Sequence, residues 1–241
     1  MKLERLLILD VETTGLAPVE GQIIEAAGVL FDVAHAEVIE ARSLCVHAPT
    51  NPAAGVNGLS VPFLRSLPSL PDASPRDREA PALDLLFDMA SRADAFVAHR
   101  ASFDMRWLPL ALVRLAPWIC SKFSCDWPEG CYGDHLVHLA IAHGVPVVGA
   151  HRALGDCMLI VEIMRACHHR WAGVQAAGGR DRRALPEILE RGLARGVGDP
   201  PRCAHGLEER RQCPNYVRTY RRDAVSPRAC PDHGGSVQWL S

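Results

Sequence analysis

Short apolar runs set off by polar residues organise the first half of the chain. "RLLILDV" (5–11) places four aliphatic residues ahead of a carboxylate, which fits a central strand. "QIIEAAGVLFDV" (22–33) and "EVIEARSLCV" (37–46) are β-rich runs joined through "AHA", so an antiparallel hairpin is expected there. Residues 47–58 hold proline and glycine and read as loop, "SVPFLRSL" (60–67) reads as a short helix, and "PSLPDASPRDRE" (68–79) as an exposed loop. Helical spacing returns in "APALDLLFDMASRA" (80–93), and "AFVA" (95–98) is a short strand. "SFDMRWLPLALVRL" (102–115) is again helical, with Ser102 as N-cap and a kink predicted at Pro109. "WICSKF" (118–123) supplies a fifth strand. "DHLVHLAIAHG" (134–144), closed by Gly144, and "RALGDCMLIVEIMRACHHRW" (152–171) are helices.

Three strands in meander order, then alternating helix and strand, predict an α/β chain with a mixed five-stranded sheet flanked by helices. Residues 1–172 form the main domain in this reading, and 173–200 a linker carrying the amphipathic helix "ALPEILERGLARG". Residues 201–241 lose apolar periodicity and turn to Cys, His, Pro and Arg, a small C-terminal Cys/His-rich appendage. A chain of 241 residues, 48% hydrophobic and 22% charged, suits that organisation.

The formal charge of −2 gives no general reason to expect a polyanionic partner, but it is unevenly spread. Residues 178–241 carry 12 arginines against 8 acids, so any polyanion-binding surface on the tail is local. "LLIL" is too short for an export signal and runs straight into Asp10 and Glu12, and no apolar run approaches the ~20 residues of a membrane span. The nine cysteines are then expected as thiols or metal ligands in a cytoplasmic protein without a membrane partner.

The first strand poses a chemical question. Burying a carboxylate is costly, and Asp10 and Glu12, two apart on a strand, aim at the same side and repel each other. Hard divalent cations such as Mg²⁺ or Mn²⁺ take carboxylate oxygens and keep sites for water and phosphate. The following "TTG" offers hydroxyls and backbone N–H groups to an anion, with Gly15 permitting close approach. Alone, this D-x-E spacing is common on protein surfaces.

Two further stretches add to it. "AHRASFD" (98–104) places Asp104 early in a helix, and "AHRALGD" (150–156) holds His151 and Asp156. Positions five apart on one helix diverge by about 140°. His151 and Asp156 can therefore meet only if His151 lies on the loop before the helix. Together "DVETTGL", "VAHRASFD" and "HRALGD" resemble the three motifs of the DEDDh group of DnaQ-like 3′–5′ exonucleases, the family of the polymerase III epsilon proofreading subunit and ribonuclease T. The resemblance spans roughly residues 5–170, and "VNGLS" (56–60) is similar to the segment after the third strand in these enzymes.

The resemblance implies an RNase H-like fold. It implies two Mg²⁺ or Mn²⁺ ions held by Asp10, Glu12, Asp104 and Asp156, with His151 as general base. It also implies Thr13, Thr14, Gly15 and Leu16 as contacts for the terminal nucleotide, with His99 and Phe103 as further candidates. The family has Asn after the second-motif histidine, whereas this chain has Arg100, to which no role is transferred. The expected activity is hydrolysis of single-stranded DNA from its 3′ end, releasing nucleoside 5′-monophosphates. The alternatives are a 3′–5′ exoribonuclease and a non-catalytic nucleic-acid adaptor.

In the tail, Cys203, Cys213, Cys230 and His233, with His205 competing for one place, are candidate Zn²⁺ ligands in a segment too small to fold on its own core. Between them "NYVRTYRR" interleaves Tyr216 and Tyr220 with arginine, a surface for single-stranded nucleic acid or for a protein partner.

Overall fold

The computed structural model describes residues 2–19, 21–70, 72–128, 135–176 and 184–197, together with two short strands at 202–203 and 237–238. Five strands, β1 (Arg5–Thr13), β2 (Ile23–Asp32), β3 (Glu37–Cys45), β4 (Ala95–Ala98) and β5 (Trp118–Cys120), form one sheet in the order β3-β2-β1-β4-β5. The first three pair antiparallel, while β4 joins β1 and β5 joins β4 in parallel. The helices among the described residues are α1 (Ala54–Asn57), α2 (Val61–Ser66), α3 (Pro75–Ala90), α4 (Ala101–Trp107), α5 (Leu110–Val113), α6 (Leu136–Ala142), α7 (Ala153–Ala176) and α8 (Leu185–Arg195). None is long and apolar enough to cross a membrane.

Strand side chains alternate between faces, and the two faces of β1 feed separate cores. Leu6 and Ile8 join Ala27, Val29 and Phe31 of β2 beneath α6, α7 and α8. Leu7, Leu9 and Val11 join Ala26 and Leu30 beneath α3, α4 and α5. β2 is buried from Ile23 to Phe31. β3 is the edge strand and is mostly exposed, which is why it tolerates Glu37, Glu40 and Arg42. Arg42 reaches Asp88 at 2.8 Å and Arg92 reaches Glu40 at 2.6 Å, tying α3 to that edge.

Several boundaries differ from the sequence reading for local reasons. α3 starts at Pro75, inside the expected loop, because Ser74 and Asp77 form a capping box and Pro75 suits the first helical position. Its first turns are polar, so periodicity does not reveal them. Pro109 separates two helices where a kink was expected: Leu108 before it is extended, as residues preceding proline prefer. Arg100, not Ser102, is the N-cap of α4, and it makes no side-chain cap. β5 ends at Cys120, and residues 121–124 turn. The expected loop at 47–58 contains α1. The amphipathic helix of the 173–200 segment is α8, and Leu185, Ile188 and Leu189 sit in the core beside α7.

In the tail, β6 (Arg202–Cys203) pairs antiparallel with β7 (Val237–Gln238). The side chains of Cys203, His205, Cys213, Cys230 and His233, and the "NYVRTYRR" stretch, lie outside the described residues.

Candidate active site

The row of side chains that points from β1 toward α7 begins apolar, with Leu6 and Ile8, and continues as Asp10 and Glu12. In the ladder to β2, Asp10 faces Ala27 and Glu12 faces Glu25. Asp156 projects from the first turn of α7, the helix packed on that face. One carboxylate oxygen each from Asp10, Glu12 and Asp156 lie within 4.8 Å of one another. Asp104 comes from the first turn of α4, after the parallel strand β4, and lines the same cleft. It is 2% exposed, and its Oδ1 is buried with no hydrogen-bond partner.

This crowding perturbs the acids. Burial, then the charges of Asp104, Glu12, Asp156 and Glu25, hold the Asp10 carboxyl well above the usual range. Glu12 is pushed up to about 7 by burial and by Asp156 and Glu25, with Arg152 opposing. Asp104 is pushed up to about 8, chiefly by burial, although hydrogen bonds from backbone groups of Asp104 itself and Val11 pull the other way. Asp156 is raised by burial, partly offset by the hydrogen bond from His151. An all-oxygen donor set, three converging carboxylates and an unpartnered buried oxygen on the fourth fit hard divalent cations.

His151 lies on the loop before α7, where its geometry relative to Asp156 requires it to be. Gly149 and His151 adopt φ of 71° and 62°, the second unusual for a residue with a side chain. The loop folds tightly over the helix start: a Cβ on Gly155 would sit 1.9 Å from the Gly149 carbonyl oxygen, so only glycine fits. The His151 N–H donates to Asp156 Oδ1 at 3.2 Å, and the ring is exposed and lines the cleft.

Two residues that sequence reasoning missed complete this arrangement. Arg152 donates from Nε to Glu25 Oε2 and from Nη2 to Glu25 Oε1, both at 3.0 Å, and the Ala153 N–H adds a bond to Oε2 at 3.2 Å. Glu25 is 1% exposed. It is the only charge inside "QIIEAAGVLF", and a buried charge in an apolar run demands a partner. That was the available signal.

The cleft has a volume of about 570 Å³ and is also lined by Thr13, Thr14, Gly15, Leu16, His99, Arg100 and Phe103. Leu16 is 85% exposed at its rim. His99 is hydrogen-bonded through Nδ1 to Ser121 Oγ at 3.0 Å, and Phe103 is half-buried against Trp107. Pro52, Ala53, Val56 and Asn57 on and before α1, and Leu136 on α6, form lining that was not anticipated. Asn57 donates to the Thr13 carbonyl at 3.2 Å and accepts from Asn51 at 2.9 Å, so a buried amide pair braces the turn after β1.

No protein-family model matches the chain, and no curated protein matches it. Solved structures do. Exonuclease X in complex with 5′-overhanging duplex DNA is 22% identical over 78% of this chain and 98% of that one, with a TM-score of 0.51. E. coli exonuclease I in complex with a dT13 oligonucleotide is 17% identical, with a TM-score of 0.53; the match covers 72% of this chain but 43% of that one. A 3′-exonuclease that recognises the histone mRNA stem-loop is 18% identical over 68% of this chain and 63% of that one, with a TM-score of 0.50. At these identities the likeness defines the fold: the chain has the RNase H-like architecture of these exonucleases.

Proposed function

We propose that this protein is a metal-dependent 3′–5′ exonuclease of the DnaQ-like DEDDh type, acting on single-stranded DNA ends and releasing nucleoside 5′-monophosphates. The observation that carries this reading is the convergence of Asp10, Glu12 and Asp156 within 4.8 Å, with Asp104 and His151 lining the same cleft. DNA is preferred over RNA because the likeness to DNA-bound exonuclease X covers nearly the whole of that protein.

Asp10, Glu12, Asp156 and Asp104 would hold two Mg²⁺ or Mn²⁺ ions. Bound ions would supply charge neutralisation and water activation for an in-line displacement. His151, exposed at the cleft wall, takes the proton of the attacking water as general base. The braced turn at Thr13, Thr14 and Gly15 presents its backbone to the terminal nucleotide, and Leu16 packs against the last base. His99 and Phe103 line the same cleft and offer further contacts to the strand. The Cys/His tail is a separate Zn²⁺ appendage in this reading, available to nucleic acid or a protein partner.

The deciding assay uses oligonucleotides labelled at either end, as matched DNA and RNA strands, with Mg²⁺ or Mn²⁺. Stepwise shortening from the 3′ end of DNA, abolished by EDTA and by Asp10→Asn, is expected. Digestion that persists in EDTA would remove the metal mechanism, and preferential digestion of the RNA strand would reassign the substrate.

A further inference from the structure

We propose that Glu25 and Arg152 form a positioning clamp, which sets the His151 loop over the carboxylate cluster and withholds a fifth carboxylate from the ions. The proposal rests on the nuclease reading of this site and extends it to two residues with no assigned role. Glu25 stands directly across the β1–β2 ladder from Glu12, and paired residues share a face, so its side chain leaves the sheet on the side of the cluster. Free of a partner, it would be one more carboxylate beside Glu12 and within reach of the same cations.

The geometry prevents that. The Arg152 fork engages both Glu25 oxygens and the Ala153 N–H adds a third donor, so the buried carboxylate is satisfied without an ion. The same bonds fix the backbone. Ala153 begins α7, and its N–H is one of the groups a helix start leaves unpaired, here capped from β2. Arg152 directly follows His151, so the clamp holds the residue next to the base.

The loop has two other restraints. One is the Gly149–Gly155 contact, which limits how far the loop lifts from the helix. The other is the bond from His151 N–H to Asp156, a carboxylate that ions would also use. The clamp ties the loop to β2 through a group the nuclease reading leaves free of cations, and Arg152 Nη2 also lies 3.8 Å from Cys45 Sγ on β3.

The test compares Arg152→Ala, Arg152→Lys, Glu25→Gln and the Glu25→Gln/Arg152→Ala double variant. It measures Mn²⁺ affinity by calorimetry, melting temperature, and kcat and KM on a single-stranded DNA oligonucleotide. Arg152→Ala is expected to lower kcat about 10–100-fold, the cost usual for removing a residue that orients a site from outside it. KM should move less than about threefold, as for an interaction that positions the reacting groups and not the substrate. Mn²⁺ should bind this variant more tightly than wild type, because Glu25 is released, and the double variant should return that affinity to the wild-type value while kcat stays low. Arg152→Lys keeps the charge without the fork and should recover only part of kcat.

A folded Arg152→Ala with wild-type kcat overturns the clamp, as does one whose Mn²⁺ affinity falls in step with kcat. If Arg152→Ala does not fold, Glu25→Gln decides: lowered kcat with unchanged Mn²⁺ affinity supports the clamp, and wild-type kcat overturns it. If wild type itself shows no nuclease activity, the functional reading fails. The Mn²⁺ titrations still judge the clamp, because unchanged affinity in a folded Arg152→Ala rejects it.

Discussion

Asp10 and Glu12 sit on a strand laddered to β2 along its length and to β4 at Leu6–Ile8, so the peptide ladder itself sets their spacing. His151 sits on a loop with two left-handed residues, positioned by side chains from elsewhere: Glu25, Asp156 and the missing Cβ of Gly155. In the proposed mechanism, ion holding starts from two carboxylates fixed by the sheet, Asp10 and Glu12, whereas proton transfer by His151 would hang on a few polar contacts. Substitutions should separate them.

The largest effect is expected at Asp10. Asp10→Asn should reduce nuclease activity to background and lose Mn²⁺ affinity, while the metal-free protein melts higher because a crowded buried carboxyl is replaced by a neutral amide. His151→Ala should cost about 10²–10⁴-fold in kcat, the range for a general base, and leave Mn²⁺ affinity intact. If both variants lost metal together, the division between strand and loop would be wrong. Gly155→Ala should follow, with about 10²-fold lower kcat from displacement of the loop, again with metal still bound.

Solution pH probes the carboxylate cluster. In the metal-free protein Glu12 titrates near 7 and Asp104 near 8, both above the usual unfolded range of about 4. The folded state therefore holds protons that the unfolded chain releases. Their stabilising contribution is complete below the unfolded values and is lost as pH rises through about 7 and 8. Ions favour the charged forms, so added Mn²⁺ should raise the melting temperature by more near pH ~8 than near pH ~6. An equal rise at both would show that these carboxylates do not hold the ions. Leu16→Ala should have the smallest effect, raising KM for an oligonucleotide about three- to tenfold by loss of apolar contact, without changing stability.

The same contrast explains what the sequence made legible. Strands with clear apolar runs, and acids at fixed motif spacing, are readable in one dimension: Asp10 and Glu12 by alternation, Asp156 and His151 by the divergence that forces one onto a loop. The onset of α3 could not be placed by periodicity, since its first turns are polar, although Ser74, Pro75 and Asp77 carried a capping signal. Glu25 and Arg152 are 127 positions apart, and nothing local in either segment names the other. Likewise the Asn51–Asn57 pair bracing Thr13 exists only once the segment after β3 folds back on the end of β1. Long-range polar partnerships were the part of the site hidden from a one-dimensional reading.

α8 has a practical consequence for anyone trimming the chain. Its Leu185, Ile188 and Leu189 fill the core below the sheet, Gly192 lies close against Ile119 and Cys125, and Arg195 forms a two-pronged pair with Asp126. A fragment stopped where motif similarity ends, near residue 170, would strip this covering from β5 and leave greasy surface open to aggregation. Recombinant versions lacking the tail should extend to about Val197, the last point at which the described polypeptide still grips the body that carries the cleft.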